Sequence, residues 1–204
     1  MAVKTIKEFG TWLLILVGIT GVIVFALFDF WSVPEEEKIG MSLEPNAHAG
    51  DTLLVLRAGV AAAGHLVRCA DPSGRGHVVA RMVAANGERL SLSRENVSVD
   101  GRSTTSRTCD GAPFVFLRHP ATGREAKMHC SIEEMNHGTA VLRAADFPDP
   151  DSSYVTEAGR AFLVSDNRHF HHDSRDFGQV DQGSCRIVAA RLGSGNASGF
   201  TVLW

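Results

Sequence analysis

Ser42 is the residue whose type and setting could carry covalent chemistry, in the segment Ser42-Leu43-Glu44-Pro45 upstream of the turn pair Gly50-Asp51. A serine hydroxyl is a weak nucleophile until a base takes its proton. A lysine can serve only when desolvated, because its ordinary pKa of about 10.4 keeps it charged at neutral pH. The chain has four lysines, Lys4, Lys7, Lys38 and Lys127. Lys4 and Lys7 precede a long apolar run, Lys38 lies in a charged segment, and Lys127 sits far along the chain, so none suits the task. Histidine titrates near neutrality without special burial, and His169, His171 and His172 are clustered. Strand spacing would put His169 and His171 on one face, but a third metal ligand is wanting. An exposed polar loop is the plainer expectation, with no metal and no cofactor. The plain alternative for Ser42 is a turn serine beside Pro45.

Three segments in order give this chemistry a context. The first is Ser42-Leu43-Glu44-Pro45-Asn46-Ala47-His48-Ala49-Gly50-Asp51. The second is His77-Val78-Val79-Ala80-Arg81-Met82-Val83-Ala84-Ala85-Asn86-Gly87-Glu88. The third runs from Gly159 to Val180 and contains Phe162, Ser165-Asp166-Asn167-Arg168 and His171-His172-Asp173-Ser174-Arg175. Together with the turn Val99-Asp100-Gly101-Arg102, they resemble the signature boxes of type I signal peptidases, from the apolar run to about Leu192. The resemblance implies a serine–lysine peptidase fold, with Ser42 at the nucleophile position and Arg81 at the basic position after the lysine. It implies structural roles for Gly50, Asp51, Asp166, Asn167, Arg168 and Ser174, and a bracing pair of Asp173 with Arg175. Gly40 takes the oxyanion-side position, where some members carry a hydroxyl; the backbone N–H of Ser42 would serve instead.

The departures fall on the chemistry. The lysine position is Ala80, and a methyl group accepts no proton. The serine that would orient the lysine is His171. Leu43, Asn46 and Ala47 replace Met, Thr and Leu, and Ser165 replaces the glycine before Asp166. The expected function is therefore a membrane-anchored, non-catalytic relative acting as an accessory, assembly or peptide-binding subunit. The alternative is an active serine endopeptidase that removes signal peptides, with Ser42 as nucleophile, His171 as substitute base and Asp173 orienting its ring. A third reading, an engineered Ala80, fits poorly with the accompanying changes at Asn46, Ala47, Ser165 and His171.

The elements that must position these residues begin with an anchor. Thr11 to Phe28 carries no charge, and roughly 18 to 20 helical residues cross a bilayer core of about 30 Å. Trp12 and Trp31 are placed as interfacial aromatics, and the run lacks the small-x-small end of a cleaved signal peptide. Lys4 and Lys7 precede it and Glu35, Glu36 and Glu37 follow, which predicts a cytoplasmic N-terminus. The expected organisation is a cytoplasmic segment at 1–10, a transmembrane helix at 11–31, a linker at 32–40 and an extracytoplasmic domain at 41–204, with a small insertion around 103–150. The location would be the inner membrane of a bacterium, with the main domain periplasmic.

Beyond the anchor, short Val- and Leu-rich runs predict strands at 51–57, 65–69, 77–85, 89–93, 97–99, 114–118, 139–143, 161–164 and 187–192. Asp100-Gly101 predicts a hairpin turn. The fold class is mainly β, a barrel or sandwich behind one transmembrane helix. The 204 residues are 44% hydrophobic with a net charge of -3, which offers no field for nucleic acid. Partners implied are the bilayer, other subunits of a membrane complex, or an extended peptide. Cys69, Cys109, Cys130 and Cys185 form no CxxC pair, so disulfides are expected rather than zinc. Cys109 with Cys130 is the preferred bridge, since they flank a short strand-like stretch; buried thiols remain open for Cys69 and Cys185.

Overall fold

The computed structural model describes residues 2–74, 76–93, 96–110, 113–118, 123, 125–135, 138–145, 150–194 and 199–203. Parts of the expected insertion therefore lie outside the described residues.

The N-terminal apolar run forms helix α1 (Ala2–Leu27). Its segment Gly10–Leu27 carries no charge and is not buried by the rest of the chain. At 1.5 Å per residue these 18 residues rise about 27 Å, close to the thickness of a hydrocarbon core. Such a helix fits membrane anchoring. It stops sooner than the sequence suggested, because Phe28–Ser32 is strand β1, not the end of a span at 31. Arg57 explains the stop. Its backbone N–H donates to the Leu27 carbonyl (2.9 Å), and its Nε donates to the carbonyls of Phe25 (3.1 Å) and Phe28 (3.0 Å). Carbonyls left open at a helix end are satisfied in this way. Trp31, expected at the membrane interface, instead packs against the core beside Val33 and Leu53.

The expected linker at 32–40 also gains structure, since it leads into the short helix α2 (Glu37–Ser42). Strands β2 (Thr52–Leu56), β3 (Leu66–Ala70) and β4 (His77–Ala85) follow. Next come β5 (Arg89–Leu92), β6 (Val97–Val99), β7 (Arg102–Ser103) and β8 (Thr105–Thr108). Then β9 (Phe114–Arg118), β10 (Glu125–Glu134), β11 (Gly138–Ala144) and β12 (Ser152–Val155) complete the middle of the chain. The last segment holds β13 (Arg160–Val164), α3 (Ser174–Phe177), β14 (Val180–Asp181), β15 (Arg186–Gly193) and β16 (Gly199–Val202).

Among the described residues these strands form three sheets, and the protein is mainly β. The main sheet runs β1-β2-β15-β3-β4-β13-β14, with β16 on β15. Strand β4 lies near its middle, so seven successive residues, Val78–Ala84, are buried. A continuous apolar run is what a strand covered on both faces requires. Side chains alternate across such a strand. Val78, Ala80 and Met82 pack in one cluster with Val67 and Leu163, whereas Val79 packs in another with Leu43, Ala47 and Leu53.

The expected insertion is a separate four-stranded sheet centred on β10, with β11, β8 and β9 as partners. A third sheet joins β12, β5, β6 and β7. Its β6–β7 hairpin turns at Asp100 (φ 50°) and Gly101 (φ 77°), both left-handed, as the Asp-Gly pair predicted. Two disulfides tie the domain. Cys109–Cys130 stands within the insertion sheet, and Cys69 pairs with Cys185, so these are not free thiols.

Candidate active site

Ser42 is the last residue of α2, a helix that packs against β4. The following loop turns through a cis Glu44–Pro45 peptide into Gly50-Asp51. Gly50 takes φ 81° and donates its N–H to the Val33 carbonyl (3.0 Å). Asp51 is fully buried and accepts from the backbone N–H groups of His48 and Ser194, each at 2.8 Å. Burial pushes its carboxyl up, but those N–H groups, with Arg191 and His48, hold it below the usual carboxylate range. Gly50 and Asp51 thus fasten the Ser42 loop to β1 and to the end of β15.

The Asp166-Asn167-Arg168 segment closes on the same loop from the other side. The Asn167 N–H donates to the Ser42 carbonyl at 3.0 Å. Arg81 donates through Nε and Nη2 to the two oxygens of Asp166 (2.8 and 2.9 Å) and through Nη1 to the Gly64 carbonyl (2.6 Å). Two parallel N–H···O bonds fix a carboxylate in both position and rotation. Asn46 joins this pair, donating to Asp166 Oδ2 and to the Ala140 carbonyl, each at 2.7 Å. Read in sequence only as a departure from the family's box, Asn46 is a cross-link between the Ser42 loop, the Arg81–Asp166 pair and β11.

The Asp173–Arg175 pair is present. Asp173 accepts from Arg175 Nε (3.0 Å) and Nη2 (2.7 Å), from the Arg175 N–H and from the Ser165 N–H. It also caps α3 in a capping box with Asp176. Burial pushes the Asp173 carboxyl up, yet the Arg175 guanidinium and backbone N–H groups outweigh this and keep it low. Ser174 is buried and its Oγ accepts from the Leu163 N–H at 2.9 Å, tying α3 to β13.

The reacting positions are arranged differently from the expected triad. Ser42 is 1% exposed, and its hydroxyl donates to the Ile39 carbonyl at 2.9 Å. Among the described residues no ionisable side chain is hydrogen-bonded to that hydroxyl. Ala80 is fully buried among Val67, Met82, Leu163 and the Cys69–Cys185 bridge. The apolar cover that a lysine base needs is there; the amine is not. His171 pairs through Nδ1 with Asp176 Oδ2 at 2.8 Å, and not with Asp173, whose oxygens are taken by Arg175 and by backbone donors. His171, Asp173 and Asp176 lie close enough to share an ion, but the commitments of Asp173 leave it poorly placed to ligate one. Gly40 is a site of close approach: a Cβ there would stand 3.0 Å from the Ala49 Cβ, so a hydroxyl-bearing residue could enter only if that loop moved.

Glu133 and Arg143 escaped the sequence reading. Glu133 on β10 is 1% exposed and bridges Arg143 Nη2 and Arg168 Nη2. Burial pushes its carboxyl up, but the two guanidiniums outweigh this and hold it below its ordinary value. The available signal was the alternation Met128, Cys130, Ile132 along β10, which a strand reading of 125–134 would have exposed.

Fold and site together define a β protein behind an apolar helix, in which a serine-bearing turn is pinned to an Asp-Asn-Arg loop and an Arg-braced short helix. The chain belongs to the signal peptidase family, peptidase S26, whose model matches residues 6–190. Among curated proteins no relative matches it.

Proposed function

We propose that this signal peptidase family member is non-catalytic and works as a membrane-anchored accessory, assembly or peptide-binding subunit. The observation that carries this is Ser42, buried, its hydroxyl donated to the Ile39 carbonyl and to no base among the described residues. A serine in that state lacks both the proton acceptor and the access that acyl transfer demands. The methyl group of Ala80, at the position the family resemblance assigns to the lysine, supports the same reading. So does the retention of parts that hold shape, the Arg81–Asp166 and Asp173–Arg175 pairs. Lys4 and Lys7 ahead of the apolar segment of α1 and the glutamates after it favour an N-terminus in the cytoplasm and a β domain on the periplasmic side of the inner membrane.

The test is incubation of the purified full chain with a preprotein. The expected result is no cleavage by the native chain, and no difference on Ser42→Ala. Cleavage that Ser42→Ala abolishes would overturn the reading. Ala80→Lys should also remain inactive, because Ser42 would still lack access for a peptide carbonyl.

One observation favours the active-peptidase reading: the His171 ring is held by a carboxylate, as a base-orienting pair requires. In that mechanism His171 would approach Ser42, take its proton during attack on the peptide carbonyl and return it to the leaving amine. Asp176 would steady the ring, so Asp176→Asn should lower turnover along with His171→Ala.

A further inference from the structure

The loop that follows Ser42 carries a histidine whose two ring nitrogens face different partners. His48 Nε2 lies 3.1 Å from Glu44 Oε2. Its Nδ1 lies 3.1 Å from Arg191 Nη1 and 3.4 Å from Asp51 Oδ2. Among the described residues these are the charged groups that face the ring: Glu44 and Asp51 from its own loop, and Arg191 from β15. An arginine only donates, and an ionised carboxylate only accepts. While Nδ1 accepts from Arg191, the proton of the neutral ring therefore sits on Nε2, where it meets Glu44. A second proton can enter only at Nδ1. It turns that nitrogen into a donor, which suits Asp51 Oδ2 and excludes Arg191.

Arg191 loses its shortest side-chain contact in this exchange. Its other partners, Asp51 Oδ2 and the Thr201 hydroxyl, are each at 3.5 Å, and its Nε is buried without a hydrogen-bond partner. Thr201 stands opposite Arg191 on β16, so the guanidinium bridges the Ser42 loop to that strand. All four residues of β16 are exposed. No apolar burial reinforces its pairing with β15, and strands held in this way are among the first to open.

We propose that His48 is a proton-operated clasp: neutral, it holds Arg191, and with it β16, against the Ser42 loop; protonated, it turns to Asp51 and lets β16 loosen. Asp51 keeps its hold on the Ser194 N–H in both states, so the Ser42 loop stays fastened while the strand beyond it opens. Histidine changes charge between about pH 5 and 8, above the range in which carboxylates ordinarily titrate. The clasp goes beyond the function proposed above and does not depend on it.

The test is hydrogen exchange of the full chain in detergent micelles at about pH 8 and about pH 5.5, corrected for the intrinsic exchange rate at each pH. Protection of the β16 amides should fall about tenfold at the lower pH, the scale of one hydrogen bond to a charged group, while the β4 amides hold. His48→Asn offers Arg191 a carboxamide oxygen in place of Nδ1 and takes up no proton, so β16 should stay protected at both pH values. Burial pushes the Glu44 carboxyl up. Glu44→Gln removes that titration, keeps an acceptor for Nε2, and should leave the response in place. Nitrogen-15 shifts of the native chain should show the His48 proton on Nε2 at the higher pH. Equal protection of β16 at the two pH values would overturn the clasp, as would a neutral ring protonated on Nδ1. So would a loss that persists in His48→Asn or vanishes in Glu44→Gln.

Discussion

At the scale of single residues, Asn46 carries more of the site's geometry than its place in a turn suggests. Asn46→Ala would leave the Ala140 carbonyl without its side-chain donor and Asp166 Oδ2 with one donor fewer. Removing one partner of a buried hydrogen bond costs about 1–3 kcal/mol. Denaturant unfolding should therefore show a loss of that size, with Asn46→Asp no better, because it sets a second carboxylate beside Asp166. The buried carboxyls make a pH prediction. Asp173, Glu133 and Asp51 are all held below their ordinary values, in each case by cations and donors that outweigh burial. Their contribution to stability is thus fully present above about pH 4–5, the unfolded range for carboxylates, and is lost as pH falls through the lower folded values. The unfolding midpoint should drop steeply below about pH 4. Asp173→Asn should be less stable at pH 7 and show a shallower acid slope; an unchanged slope would refute the assignment.

At the scale of elements, the two disulfides bind different parts and should differ in weight. Cys69–Cys185 joins β3 to the entry of β15 across 116 residues, whereas Cys109–Cys130 closes only 21. Chain-entropy reasoning assigns about 4–5 kcal/mol to the first loop and about 3 to the second. The Cys69→Ala, Cys185→Ala double variant should therefore lose more thermal stability than its Cys109, Cys130 counterpart, and calorimetry of the two would show it. Strand β4 matches its predicted bounds because its unbroken apolar run is the mark of a strand buried on both faces. The strands that went unread had other compositions. β10 mixes Glu, Lys and His with its apolar residues, since one face carries the Glu133–Arg ion pairs, and β12 is half serine. β1 was absorbed into the anchor because aromatic residues suit both a span and a strand.

At the scale of the whole molecule, α1 stands apart from the β domain with its apolar surface uncovered. Deleting residues 1–27 should release the domain from membranes without detergent, while the full chain should stay in the pellet through alkaline extraction. With the proposed orientation, protease added outside spheroplasts should digest the β domain; protection of that domain would reverse the orientation.

The sequence by itself determined the apolar N-terminal helix, the β class and the residues of the three boxes, because these rest on local periodicity, turn chemistry and motif spacing. It also determined that no amine stands at residue 80. Tertiary structure decided what the remaining groups do. Only the fold could direct the Ser42 hydroxyl to Ile39, give His171 to Asp176, enlist Asn46 with Asp166, and set Arg143 and Arg168 against Glu133. Those partners come from segments up to 120 residues apart, and which side chains meet across such distances depends on sheet register and loop packing, which no local pattern encodes.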